Sequence, residues 1–355
     1  MRVLFLQQQP CARARKYAAA LTAARPDIEL GFAHDGATLS EAYGTGDELF
    51  KSWWKLGERP ARTLREVLAE FSPDIVHSHS DGFSVLAIEL TGGRIPVVHD
   101  VHDLWSLSRD DGLDLERRAI EESAALVTVS PELLEEISLR YARPPLTGVF
   151  SNYALERDLP PVLPPPDRPR ADPPPMAYQG ALTTTGDHYD LREIFRAIAG
   201  QGIALDIYPA GEAPAYRDLA LETPGLRCHD SLPPDRLQRL LARYDWGWAG
   251  FNDERSAAHL DTALPNKVYE YAGCGLPTVT LPHRALTRLV GEEQLGISVE
   301  EVSQVAERLA AADLTALRQG IAERRWQLTF EGNIGRIVSL YEALVREPIV
   351  GIAPL

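Results

Sequence analysis

Short apolar runs alternate with segments of helical length along almost the whole chain. This alternation constrains the fold more than any other feature. Val3–Leu6 precedes the Ala-rich stretch Ala12–Ala24, and Ile28–Ala33 precedes a segment in which Leu64, Val67, Leu68 and Phe71 recur at i, i+3, i+4 and i+7. Ser72-Pro73 ends that helix. Asp74–His77 (DIVH), Pro96–His99 (PVVH), Leu126–Val129 and Thr147–Phe150 read as further strands, and Ser130-Pro131 reads as an N-cap with proline at the first helical position. Strands separated by helices cannot pair as hairpins, so they must run parallel through crossovers.

The second half repeats the pattern. Met176–Gln179, Ala204–Tyr208, Leu226–His229, Trp246–Gly250 and Thr278–Leu281 read as strands. Pro233–Tyr244 and Asn266–Cys274 read as helices, and Asp190 with Glu193 as a capping pair before another. A long amphipathic helix over Glu331–Arg346 carries Ile334, Ile337, Val338, Tyr341 and Leu344. Between the halves, residues 160–175 hold nine prolines in sixteen positions. Such a stretch favours stiff polyproline II and reads as a semi-rigid linker. The expected organisation is a Rossmann-like domain over 1–155 joined by the closing helix 331–355, a linker over 156–175, and a second Rossmann-like domain over 176–330. Parallel sheets bind ligands at the carboxyl ends of their strands, which places the expected ligand in a cleft between the halves.

The 355 residues carry 36 Lys+Arg against 51 Asp+Glu, a net charge of −15. Residues 1–150 hold 16 basic and 23 acidic residues, so neither half is basic. A nucleic-acid partner is therefore not expected, and an anionic ligand needs a local site. Three scattered cysteines, Cys11, Cys228 and Cys274, fit a reducing compartment without a zinc knuckle. The N-terminal apolar stretch is too short for a signal peptide, and no run approaches the ~18 residues of a membrane span. A cytoplasmic setting is expected, with docking at the inner face of the membrane left open.

The most informative segment is Leu264–Thr280, LPNKVYEYAGCGLPTVT. A proline precedes a helix whose first turn offers free N–H groups and Lys267. Glu270 lies three residues on, on the same face. A helix N-terminus with a lysine suits a diphosphate, and a carboxylate one turn deeper suits a ribose diol. The same spacing also suits a Lys–Glu surface pair. This segment resembles the donor-site signature of retaining GT-B glycosyltransferases of the family 4 type, in the branch reading P-[NS]-K-x-x-E-Y-x-A-x-G-x-P. Pro265, Asn266, Lys267, Glu270, Tyr271, Ala272, Gly275 and Pro277 match it. Tyr178-Gln-Gly180 resembles the strand and glycine that open the donor domain, and Tyr208-Pro-Ala-Gly211 its second glycine turn. The closing helix resembles the one that crosses back to the first domain. The resemblance implies that Lys267 touches the donor diphosphate, Glu270 the ribose, Asn266 the same helix-end site, and Gly180 and Gly211 the phosphates or base.

The chain departs from the family pattern in three places. Thr262 stands where the first Glu of a Glu-x7-Glu pair is expected. Thr183–His188 (TTTGDH) replaces an Arg…Lys pair. The first turn, QQQPCARARK, lacks a Gly-Gly. Arg13, Arg15 and Lys16 in that turn read as solvated helix charges, with contact to an anionic acceptor or a membrane as the alternative. Asn152 resembles a hinge residue.

Four of the nine histidines cluster at His77, His79, His99 and His102. HSHSD at 77–81 resembles the metallo-β-lactamase pattern HxHxDH with Gly82 in place of its last histidine. VHDVHDLW resembles the glycosyltransferase segment whose histidine approaches the donor sugar. By that resemblance His102 is the catalytic residue, with Asp103 fixing its tautomer.

The expected activity is transfer of a sugar from a nucleotide-diphosphate donor to an acceptor hydroxyl, with retention, no cofactor and no metal. The acceptor would be a glycan, a lipid-linked glycan or a small molecule. A metal-dependent hydrolase built on the HSHSD and HDVHD (99–103) clusters is the rival reading. A non-catalytic nucleotide-sugar-binding protein of the same fold is the third.

Overall fold

The computed structural model describes residues 1–8, 11–109, 111–169, 174–252 and 257–346. It divides into two units: Met1–Ser151 with the chain from Phe330 onward, and Asn152–Thr329.

The first unit is built on seven parallel strands: β1 (Arg2–Gln7), β2 (Glu29–His34), β3 (Ser52–Lys55), β4 (Ile75–Ser78), β5 (Val97–Val101), β6 (Ala125–Thr128) and β7 (Leu146–Val149). Their order is β3-β2-β1-β4-β5-β6-β7. Strands β1, β4, β5 and β6 are buried almost throughout, as in a parallel sheet covered on both faces. Leu64, Val67 and Phe71 pack with Leu4, Leu6 and Val76, as their helical spacing predicts. Ser130 Oγ accepts the Leu133 N–H at 3.0 Å, with Pro131 beside it at the first helical position. Strand β3 (SWWK) is a half-exposed edge strand that the apolar-run criterion passes over.

The second unit holds six parallel strands: β8 (Pro175–Gly180), β9 (Ala204–Pro209), β10 (Leu226–Cys228), β11 (Trp246–Trp248), β12 (Thr278–Thr280) and β13 (Gly296–Ser298), in the order β10-β9-β8-β11-β12-β13. In both sheets the strand order reverses beside the first strand of the unit, between β1 and β4 and between β8 and β11. These are the switch points at which open parallel sheets bind ligands.

Three expectations need correction. The proline stretch is not the seam, which lies at Ser151/Asn152 with the return at Thr329/Phe330. The described part of the stretch packs on the second unit. Leu159 joins its core, the Pro160 carbonyl accepts from Arg325, and Arg168 donates to the carbonyls of Ala242 and Tyr244. A polyproline segment has few N–H donors, but its carbonyls remain free to accept, so it docks as a strap. Residues 170–173 lie outside the described residues. Asp190 does not cap the following helix. Its carboxylate holds Arg192 and the Gly186 N–H, and Leu191 takes the cap position. The closing helix is two pieces, Phe330–Asn333 and Gly335–Arg346, and both belong to the first unit. Arg25 donates to Glu342 at 2.7 Å there.

Candidate functional site

In the second unit, four of the expected donor-site residues converge on the carboxyl edge of the sheet. Gly180 ends β8 with φ +136°, in the region that favours glycine. A Cβ there would stand 3.4 Å from both Cε and Nζ of Lys267. Beside it, the Ala210 N–H donates to the Gly180 carbonyl at 2.9 Å, so the turn carrying Gly211 is tied to the end of β8. A Cβ at Gly211 would meet nothing within 4 Å, so that turn keeps an open face.

Lys267 lies in the first turn of the helix Asn266–Gly273. First-turn N–H groups have no intrahelical acceptor, so this end carries partial positive charge. Asn152 Nδ2 donates to the Leu264 carbonyl at 2.7 Å and so braces the turn that feeds Pro265 and Asn266. Asn152 therefore acts within the second unit.

The Lys267 side chain is 6% exposed and its Nζ has no hydrogen-bond partner among the described residues. Its nearest cover is aromatic: Nζ stands 4.3 Å from the Tyr178 ring centroid, 5.5 Å from Phe251 and 5.9 Å from Tyr189. Burial pulls its pKa down to about 7, against the opposing pull of Glu270. A cation held this way, next to a helix N-terminus, favours the binding of an anion.

Glu270 accepts from Gln179 Nε2 at 2.7 Å. The Gln179 N–H is held in turn by the Tyr271 hydroxyl at 3.0 Å, and that hydroxyl also reaches the Trp248 carbonyl at 3.1 Å. Tyr271 thus ties the helix to β8 and β11. The motif matched Tyr271 without giving its purpose, and it passed over Gln179. A buried glutamine ending an otherwise apolar strand is the signal that marks it.

Thr262 Oγ1 donates to the His259 carbonyl at 2.9 Å and serves its own turn. In the replaced loop, Thr183 Oγ1 and the Tyr189 N–H both bind Asp187, at 2.5 and 2.8 Å.

The first unit gathers its histidines at the carboxyl ends of β4 and β5. Asp100 is the hub. It is buried and meets Arg13 Nε at 3.0 Å and His77 Nε2 at 3.2 Å, while His102 Nε2 lies 3.5 Å away and His79 Nδ1 3.9 Å away. Burial pushes the Asp100 carboxyl up, but Arg13 and the His77 bond outweigh it and hold it well below the usual range. Burial keeps His77, His79 and His102 below the ordinary imidazole value, with Asp100 opposing. His77 Nδ1 meets the Tyr341 hydroxyl, and His79 Nδ1 lies 3.1 Å from His102 Nε2.

The expected partnership of His102 and Asp103 takes a different form. Asp103 is exposed, and the carboxylate found beside the His102 ring is Asp100, with Asp103 adding a weaker pull in the same direction. His99 turns to other partners, Asp81 Oδ1 at 3.0 Å and Ser84 Oγ at 2.8 Å. Of the HSHSD segment, Asp81 therefore faces His99, and the carboxylate beside His77 and His79 is Asp100 of HDVHD.

The reading of Arg13, Arg15 and Lys16 as solvated charges is also corrected. All three are at most 3% exposed. Arg13 binds Asp100, the Tyr17 hydroxyl at 2.9 Å and the carbonyls of Phe150 and Ser151 at 2.6 and 3.1 Å.

Sucrose-phosphate synthase from Thermosynechococcus elongatus superposes with a TM-score of 0.74 at 14% identity, over 98% of this chain and 99% of that one. HepE from Anabaena, solved in complex with UDP-glucose, gives 0.71 at 14% identity over 96% and 99%. A glycosyltransferase from Rickettsia africae gives 0.70 at 11% identity over 98% and 99%. The fold is GT-B. Residues 14–148 match the model of Glycosyltransferase Family 4, so a glycosyltransferase family domain occupies most of the first GT-B unit. That match falls on the histidine-bearing half, whereas the signature read from the sequence lies in the other. No curated protein is close enough in sequence to be matched. Among the described residues, no helix of this GT-B chain is long and apolar enough to cross a membrane.

Proposed function

We propose that the protein is a retaining glycosyltransferase that moves a sugar from a nucleoside-diphosphate donor to an acceptor hydroxyl. The observation that carries this reading is Lys267: a buried, unpartnered ammonium at a helix N-terminus, beside a glycine turn, at the switch point of a GT-B sheet. Lys267 and the first-turn N–H groups, with Asn266 at the helix start, take the diphosphate. Glu270, oriented by Gln179, accepts from the ribose diol. Gly180 and Gly211 let the backbone approach the donor.

The chemistry assigned to this chain needs neither metal nor cofactor. The sugar leaves the diphosphate and joins the acceptor oxygen on the same face. The departing diphosphate takes the acceptor proton, while Lys267 offsets the charge that builds on it. His102 is assigned to the transferring sugar, with Asp100 and Asp103 biasing its ring. A uridine diphosphate donor is favoured, because HepE was solved with UDP-glucose. The acceptor class proposed is a glycan, a lipid-linked glycan or a small molecule. Lipid-linked acceptors would bring peripheral contact with the inner face of a membrane.

The test is direct. Isothermal calorimetry against UDP, GDP and their sugars should find one ligand that binds. Donor hydrolysis, then transfer to an acceptor panel, should follow with that ligand, and NMR of the product should show retention. Binding without hydrolysis or transfer would point to the non-catalytic reading. No binding of any nucleotide would overturn both.

A further inference from the structure

The first βα turn has no role in the transfer reading, yet it places a thiol beside two imidazoles. Cys11 follows β1 and caps the helix Ala12–Ala24, with Gln7 Nε2 3.2 Å from its Sγ. His79 follows β4 and His102 follows β5. Because β1, β4 and β5 are neighbours in the sheet, the three residues leave adjacent carboxyl ends at the switch point. Cys11 Sγ and one ring nitrogen from each histidine all lie within 4.8 Å of one another.

The spacing suits a tetrahedral ion. Two nitrogens bound to Zn2+ at about 2.0–2.1 Å stand about 3.3 Å apart. His79 Nδ1 and His102 Nε2 stand 3.1 Å apart. The other nitrogen of His79, Nε2, is buried without a hydrogen-bond partner among the described residues, so within them the ring's polar contacts are made through Nδ1. The Asp100 carboxylate lies 3.5 Å from the same His102 nitrogen and 3.9 Å from the same His79 nitrogen, so its negative charge faces the position of the ion. His102 is 28% exposed and Cys11 half-buried, which gives an ion a way in. A second trio, His77, His79 and Asp100, is less free to ligate. Both ring nitrogens of His77 are engaged, and Asp100 is held by Arg13.

We propose that Cys11, His79 and His102 form a three-ligand site for a thiolate-preferring divalent cation of the Zn2+ class, with water in the fourth position. One thiolate and two imidazoles select zinc-like ions over Mg2+ or Ca2+, which take oxygen ligands. Binding releases the Cys11 proton to solvent, and nothing is oxidised or reduced. If the transfer reading holds, the ion is an antagonist, because it occupies the His102 nitrogen assigned to the sugar.

The test uses the full chain, stripped with chelator and free of nucleotide, titrated with Co2+ as a spectroscopic stand-in. One ion per chain is expected, with a thiolate-to-cobalt charge-transfer band, intense four-coordinate d–d bands and displacement by Zn2+. Cys11→Ser should abolish the charge-transfer band while leaving the far-UV circular dichroism intact. Cys228→Ser should keep it, and His79→Gln should weaken Co2+ binding about tenfold or more. Absence of the band in the wild-type chain, or its survival in Cys11→Ser, overturns the site. The readout needs no donor, so its failure leaves the transfer reading standing, and failure to bind nucleotide leaves the metal result standing.

Discussion

Lys267 Nζ stands 4.3 Å from the centre of the Tyr178 ring and has no hydrogen-bond acceptor among the described residues. The ring face offsets part of the cost of burying an ammonium, by about 1–2 kcal/mol, but does not cancel it. Lys267→Met should therefore do two opposite things. It should weaken nucleoside-diphosphate binding by roughly tenfold or more, about 1.4 kcal/mol. It should also stabilise the free protein, by up to about 4 kcal/mol near neutral pH. The folded-state pKa lies below the unfolded one, so the penalty is complete below pH 7 and fades as pH rises toward 10.5. Thermal melts with and without UDP check both parts. A variant that binds normally, or melts lower, removes Lys267 from the donor site.

The same residue makes donor binding proton-linked. Above pH 7 the free protein holds Lys267 mostly neutral, and a diphosphate favours its charged form. Binding of UDP-glucose should take up close to one proton at about pH 8 and weaken by up to tenfold per pH unit above 7. Calorimetry in two buffers of different ionisation heat measures the uptake. Lys267→Arg keeps its charge throughout and should flatten the profile, so an unchanged profile in that variant would place the proton elsewhere.

Gln179 fixes Glu270 through the 2.7 Å bond from Nε2 to the carboxylate. Glu270→Ala should weaken nucleotides with an intact ribose diol by about tenfold, while 2′-deoxy analogues lose much less. Gln179→Leu should reproduce part of that loss, and the double variant should lose less than the two single losses combined. Equal losses for both ribose types would remove Glu270 from the sugar edge.

Much of this second-unit site was legible, because its residues sit close in sequence on recognisable elements. Asn266, Lys267 and Glu270 share one helix, and Gly180 and Gly211 end two strands that any reading of the alternation finds. The first unit was less legible. Arg13, Arg15 and Lys16 lie on an Ala-rich helix whose local pattern resembles a solvated face. The partner that buries Arg13, Asp100, is 87 positions away, and the carbonyls it binds are further still. Asp103 looked like the partner of His102 because it is adjacent in sequence, but adjacent residues leave a strand end in different directions. The prolines misled for a related reason. Composition shows that a stretch is stiff, whereas what it docks against is set by distant residues such as Arg325, Ala242 and Tyr244.

His102 and its two carboxylates can be separated by kinetics. His102→Ala should lower kcat by about a hundredfold while leaving the donor Kd within roughly twofold. Asp103→Ala, at an exposed residue, should lower kcat by less than about fivefold. Rates that survive His102→Ala make the histidine structural, and a larger loss from Asp103→Ala than from His102→Ala reverses the assignment.

The Arg13–Asp100 pair is held at 3.0 Å with both side chains almost fully buried. Each charge is sheltered by the other, so the pair contributes little net stability, yet removing one partner strands the other. Asp100→Asn leaves the Arg13 guanidinium with a neutral amide and replaces one of the two oxygens that Arg13 and His77 Nε2 share with an N–H donor. Arg13→Met leaves the Asp100 carboxylate to the imidazoles alone. Each single change should cost about 3–5 kcal/mol in urea unfolding, and the double change markedly less than their sum, a coupling of at least about 1–2 kcal/mol. A second consequence distinguishes a site network from simple packing. Without Asp100 the pull that opposes burial at His102 is lost, so the His102 pKa should fall further. NMR titration of the ring in Asp100→Asn should show that fall. Additive stability losses with an unmoved His102 titration would make Arg13 and Asp100 separate core residues with no bearing on the histidine.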